Sequence, residues 1–136
     1  MSAPYRLWTD GGARGNPGPA GIGVVLKGPE GDVIEEIGKT IGKATNNVAE
    51  YEGLIAGLEL AAKHKVAKLE VYMDSLLVVQ QMRGIFKVKH KGLLPLYDKA
   101  KVLVGDFDQV RLHAVPRGEN AHADSLVNQS LDADPA

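Results

Sequence analysis

The sequence contains no cysteine, which excludes disulfides, thiolate metal centres and a cysteine nucleophile and agrees with a reducing cytoplasm. Aromatic residues are scarce at 5%, so a core must be built mainly from aliphatic side chains. No apolar run nears the roughly 20 residues needed to span a bilayer, and no membrane partner is expected. Met1 to Trp8 lacks the apolar stretch of a signal peptide. An excess of positive charge is missing too. Sixteen Lys and Arg face seventeen Asp and Glu, for a net charge of −1. A nucleic-acid ligand would have to be met by a local basic patch or through metal ions. What is present suits one folded domain: 136 residues, 44% hydrophobic and 24% charged. The expectation is a monomeric, cytoplasmic, single-domain protein.

Periodicity divides the chain into alternating elements. Tyr5 to Asp10 reads as a strand that stops at Gly11-Gly12. Gly11 to Gly21, with five glycines and two prolines, reads as loop. Ile22 to Lys27 and Asp32 to Ile41 read as strands joined by the turn Gly28-Pro29-Glu30-Gly31. Tyr51, Leu54, Ile55, Leu58 and Ala62 then recur at helical spacing, with Asn46 or Asn47 as N-cap. Lys68 to Met73 is a strand ending at Asp74-Ser75, and Leu76 to Met82 a helix stopped by Gly84. Leu93 to Val104 is a helix, Gln109 to Val115 a strand, and Glu119 to Leu131 a final helix. The pattern predicts an α/β fold, a mixed five-stranded sheet flanked by helices. The domain spans 1–131, and the small acidic segment 132–136 reads as a linker-like tail.

Four acids occupy special places in that pattern. Asp10 and Asp74 end strands, Glu50 lies one turn into the first helix, and Asp124 lies near the start of the last. In an open sheet with helices on it, strand ends and helix starts gather at one edge, where ligands bind. Four carboxylates converging without Lys or Arg would raise one another's pKa unless divalent cations neutralised them. An oxygen-only donor set selects Mg²⁺ or Mn²⁺ over zinc. Taken singly, Asp74-Ser75 also reads as an N-cap and Asp124 as a helix-surface acid. Asp10 before two glycines is more telling, because glycine lets a ligand approach the backbone. The glycine-rich segment 11–18 is not a P-loop: no Gly-Lys-Ser/Thr follows, and it leads into a strand rather than a helix.

The motifs Thr9-Asp10-Gly11-Gly12 with Gly15-Asn16-Pro17-Gly18, Thr45-Asn46-Asn47-Val48-Ala49-Glu50, Asp74-Ser75, and Glu119-Asn120 leading to Asp124 run in order from Tyr5 to Leu131. In that order and spacing the chain resembles type 1 ribonuclease H. The resemblance implies a ribonuclease H-like fold with three antiparallel and two parallel strands. It implies an endoribonuclease that hydrolyses the RNA strand of an RNA/DNA hybrid with two Mg²⁺ or Mn²⁺ ions per active site, leaving 5′-phosphate and 3′-hydroxyl ends. By position, Asp10, Glu50, Asp74 and Asp124 match the family's catalytic, metal-binding acids. Gly11, Gly12, Asn16, Asn46 and Asn47 match contacts to the RNA strand, and Thr45 a contact to a DNA phosphate. Amides and backbone groups of this kind can recognise a 2′-hydroxyl.

The chain departs from the family pattern in three places. The loop histidine of many members falls near Ala114, with His113 one residue off, and Arg117 is the loop's cation and a partial substitute. Leu76 stands where some relatives have glutamine. The long basic protrusion of some bacterial members is absent, which makes this a small form of the kind found at the N-terminus of bifunctional ribonuclease H/phosphatases, with a fused C-terminal domain in the native chain. In place of the protrusion stands the acid-free run Arg83 to Lys91, where Lys87 and Lys89 are expected to grip the DNA strand. Other readings keep the scaffold but change the substrate, as in transposases, integrases and junction resolvases, or keep binding without catalysis. The RNA-contact positions argue against the first, and the presence of all four acids against the second.

Overall fold

The computed structural model describes residues 3–134, so the ends of the expected domain and tail (Met1, Ser2, Pro135 and Ala136) lie outside the described residues. Along Lys68–Met73, alternation puts Leu69, Val71 and Met73 fully inside, with Glu70 and Tyr72 half-buried on the opposite face. This strand, β4, lies beside β1 (Tyr5–Ala13). β1 continues into an antiparallel meander with β2 (Gly18–Lys27) and β3 (Val33–Ala44). β5 (Gln109–Ala114) closes the other side, and the order is β3-β2-β1-β4-β5 with β4 and β5 parallel to β1. Three antiparallel and two parallel strands therefore form the expected mixed sheet.

Helices cover both faces. α1 (Asn46–Lys63) buries Tyr51, Leu54 and Leu58 completely, and α2 (Leu76–Met82) adds Val78 and Val79 to the same core. α3 (Leu94–Val104) packs beside α1. A 3-10 turn (Arg117–Asn120) leads into α4 (Ala121–Ala133), which lies over β1, β2 and β3. Gly11 abuts Ala49 of α1 and its neighbour Gly12 abuts Val127 of α4. Successive strand residues point to opposite faces, so α1 and α4 sandwich the sheet at the glycine-rich end of β1.

Several boundaries differ from the sequence pattern, each for a physical reason. β1 runs through Gly11 and Gly12 to Ala13 and β2 begins at Gly18, leaving only residues 14–17 as loop. Most of these glycines serve close packing. A Cβ at Gly11 would collide with the carbonyl of Ala49, and one at Gly23 with the carbonyl of Ala123. Thr45, rather than Asn46 or Asn47, caps α1, its hydroxyl accepting from the N–H of Val48 at 3.2 Å. The last helix starts at Ala121 and continues to Ala133, into the segment read as tail, where Asp132 pairs with Arg14 at 2.6 Å.

Candidate active site

The four acids arrive from four elements. Asp10 stands on β1, where the parallel and antiparallel halves of the sheet meet, and Asp74 directly follows β4. Glu50 is in the second turn of α1, and Asp124 in the first turn of α4. Asp10, Glu50 and Asp74 each offer an oxygen, all within 4.8 Å of one another. Asp10 and Glu50 are only 7% and 8% exposed. The backbone N–H of Gly11 donates to Glu50 Oε1 at 2.7 Å, which ties the helix acid to the strand carrying Asp10. Asp124 lines the same cleft, of about 410 Å³, together with Gly11, Gly12, Asn46 and Asn47.

Burial and mutual repulsion dominate the electrostatics. Loss of hydration pushes Asp10 up to about 7, helped by the charges of Asp74 and Asp124 and opposed by its hydrogen bond with Glu50. Burial, then Asp10 and Asp74, push Glu50 up to about 9 against the stabilising N–H of Gly11. Burial and repulsion thus favour the protonated forms of this pair, a bias that the charge of a divalent cation would oppose. The donor set is all carboxylate, clustered and partly buried, which fits a hard ion such as Mg²⁺ or Mn²⁺. Asp10, Glu50 and Asp74 are the residues that could hold it, with Asp124 at the side of the same cleft.

One cation stands beside the cluster, the loop arginine that the sequence offered as a partial substitute for the histidine. Arg117 lines the cleft and points Nη2 at Asp124 Oδ1, 3.8 Å away, with its side chain 80% exposed. The two nearby histidines are elsewhere. His113 pairs with Glu70 at 2.8 Å and stacks on Tyr72, and His122 pairs with Glu36 at 2.8 Å. Both are engaged on β-strand acids, as their positions on β5 and on α4 dictate.

The expected substrate-contact residues fall into two groups. Asn46 Oδ1 accepts from the N–H of Ala13 at 2.8 Å, while the N–H of Asn46 donates to Asn16 Oδ1 at 3.0 Å. These bonds pin the β1–β2 loop to the start of α1. Asn16, Thr45 and Asn47 line a second, adjoining cleft of about 200 Å³ with His90 and Leu93. Lys87 and Lys89 line neither cleft; they stand exposed on the segment after α2 that delivers His90 to the second one.

Three residues at the site escaped the sequence reading as participants. Arg14 lines the main cleft from the glycine loop, and Asn128 donates to Asp124 Oδ2 at 3.4 Å. Asn120, 1% exposed, donates to Thr9 O at 2.9 Å and to Asp74 Oδ1 at 3.3 Å. A signal existed for Asn128, four residues after Asp124 on one helix face. Asn120 stood in the Glu119-Asn120 motif, but nothing local pointed to its long-range partners Thr9 and Asp74.

Comparisons with known proteins converge. Residues 8–130 match the family described as reverse transcriptase-like. The chain is 52% identical over 125 residues to a bifunctional protein of Mycobacterium tuberculosis, covering 91% of this chain and 34% of that protein. It thus spans about a third of the length of the mycobacterial relatives it matches. The solved N-terminal RNase H domain of the M. tuberculosis protein superposes with a TM-score of 0.92 at 49% identity, over 94% of this chain and 98% of that one. RNase H1 of Halobacterium salinarum superposes with a TM-score of 0.93 at 42% identity, over 96% and 98% of the two chains. LC11-RNase H1, solved in complex with an RNA/DNA hybrid, gives a TM-score of 0.88 at 44% identity, over 94% and 96%.

Proposed function

The chain belongs to the ribonuclease H family, and on that premise we propose that it is a metal-dependent endoribonuclease that hydrolyses the RNA strand of RNA/DNA hybrids, leaving 5′-phosphate and 3′-hydroxyl ends. One observation carries the reading most directly: carboxylate oxygens of Asp10, Glu50 and Asp74 lie within 4.8 Å of one another in an open cleft also lined by Asp124. Two Mg²⁺ or Mn²⁺ ions, when bound, supply the charge that activates a water and stabilises a leaving 3′-oxygen during in-line displacement. The protein's own part is positional. β1, β4, α1 and α4 hold the acids before substrate arrives, so little reorganisation is needed at the reacting phosphate.

Substrate recognition draws on residues of both clefts. Gly11, Gly12, Asn16, Asn46 and Asn47 present amides and backbone groups to the RNA strand, where a 2′-hydroxyl can be read. Thr45 at the adjoining cleft takes a DNA phosphate, and Lys87 and Lys89 extend the basic track beyond it. Such contacts read backbone and groove shape, so no sequence preference is expected. Arg117, beside Asp124, is the auxiliary cation that takes the place of the family's loop histidine. We place the protein in the cytoplasm as a monomer, with a ribonuclease H domain whose last helix runs to Ala133 and a fused C-terminal domain in the native protein; the bifunctional mycobacterial relative supports the second domain.

Cleavage of an end-labelled RNA/DNA hybrid with Mg²⁺, Mn²⁺ or chelator tests the reading, alongside the same RNA as a single strand and as an RNA duplex. The expected result is metal-dependent cutting of RNA in the hybrid alone. No cutting of the hybrid with either metal overturns it and favours binding without catalysis.

A further inference from the structure

We propose that Asn120 is a positioning residue: its side-chain amide orients the Asp74 carboxylate and locks together the three elements that carry Asp10, Asp74 and Asp124. This role deepens the nuclease reading and rests on it. Asn120 is 1% exposed and sits where the 3-10 turn passes into α4. Its Nδ2 donates in two directions, to the carbonyl of Thr9 at 2.9 Å and to Asp74 Oδ1 at 3.3 Å. Thr9 immediately precedes Asp10 on β1, Asp74 immediately follows β4, and Asp124 lies four residues beyond Asn120 on α4. One NH₂ group thus spans the junction of all three.

The chemistry of an amide suits this task. Its two hydrogens satisfy a buried strand carbonyl and one oxygen of a carboxylate at the same time. A neutral donor steadies Asp74 without the charge of a Lys or Arg, which would compete with a cation for the acids. Asn120 Oδ1 has no hydrogen-bond partner among the described residues, so the two donated bonds alone set the orientation of the amide. Among those residues no other side chain donates to Asp74. Without Asn120 the carboxylate would turn freely about its Cα–Cβ bond, and the preformed acid cluster would have to be ordered by the incoming ion.

Two measurements on the purified, chelator-stripped chain decide the matter. Calorimetric titration with Mn²⁺ alone, in the absence of nucleic acid, is expected to show about tenfold weaker binding for Asn120→Ala than for the native protein, as for other partners that orient metal ligands. Steady-state cleavage of the hybrid should show a similar fall in kcat while KM for the hybrid stays within about threefold, because Asn120 is buried away from the substrate. A residue that merely stabilised the fold would lower the melting temperature and leave both quantities unchanged in the folded protein. That outcome overturns the proposal. Should Asn120→Ala fail to fold, Asn120→Leu keeps a similar bulk, adds no charge and cannot donate. It is expected to lose kcat at unchanged hybrid KM and to alter the Mn²⁺ magnetic-resonance spectrum, and native values for both overturn the proposal. A native chain that neither binds Mn²⁺ nor cuts hybrid overturns the nuclease reading as well. Native binding and cutting with an unaltered Asn120→Ala overturns the role of Asn120 alone.

Discussion

Gly11 and Glu50 are joined by a 2.7 Å hydrogen bond from the backbone N–H of the strand residue to the carboxylate of the helix residue. The approach of α1 that makes this bond possible requires glycine, since a Cβ at position 11 would collide with the Ala49 carbonyl. The same residue therefore places the helix and holds its acid.

Gly11→Ala is expected to push α1 away from β1 and disperse the acids. Overpacking at a backbone contact costs about 1–3 kcal/mol or more. A thermal melt should register that loss, and hybrid cleavage should fall further than the loss of folded protein explains. Native stability and turnover in this variant would mean that the strand and helix can slide apart at no cost.

Asp74→Asn should fold normally and still bind hybrid, because the carbonyl of the substituted side chain can accept the Asn120 bond that Asp74 Oδ1 now accepts. It removes one charge from the cluster. Losing one preorganised electrostatic element typically lowers kcat about 10²–10³-fold. Circular dichroism, gel-shift binding and single-turnover cleavage separate the three properties. Unchanged turnover would remove Asp74 from the proposed ligand set.

The raised pKa values of Asp10, about 7, and Glu50, about 9, predict a pH dependence for the metal-free protein. Both groups hold protons in the native state over a range where the unfolded chain, with ordinary carboxyl values of 3.8 and 4.5, has released them. The native state binds more protons, so stability from these groups is present at low pH and is lost as pH rises through about 4 to 9, at up to about 1.4 kcal/mol per unit per proton. Asp10→Asn abolishes part of the repulsion. In chelator, the melting temperature of this variant minus that of the native chain should grow between pH 5 and pH 9. A difference that stays flat would show that the two acids do not repel in the folded state.

Lys89→Ala should weaken hybrid binding with little change in kcat, since the exposed segment lies outside the main cleft. If Lys89 meets one phosphate, the slope of log affinity against log salt falls by about 1. Affinities measured across a range of salt concentrations give that slope directly. An unchanged slope would leave the basic run as an ordinary solvated surface.

Much of the fold was legible because local physics writes it locally. β4 and α2 match their predicted spans, since the alternation of Leu69, Val71 and Met73 and the capping Ser75 are properties of neighbouring residues. The glycine-rich stretch misled for the complementary reason. Its composition matches a loop, yet Gly11 and Gly21 are strand residues whose missing side chains make room for Ala49 and Ser130, partners far away in the chain. The cap at Thr45 and the overrun of α4 to Ala133 are corrections of one or two residues, decided by which hydroxyl meets Val48 N–H and by the Arg14–Asp132 pair.

The site divides the same way. By itself the sequence determined that Asp10, Glu50, Asp74 and Asp124 were the acids to watch, although Asp10 lies within β1 and not at its end. Only the tertiary structure decided that three of them meet within 4.8 Å, that Arg117 and not His113 shares their cleft, and that Asn120 joins Thr9 to Asp74 across 111 and 46 residues of chain. Side-chain type and spacing are encoded one residue at a time, whereas a hydrogen bond between distant segments exists only after the sheet and its two layers of helices have packed.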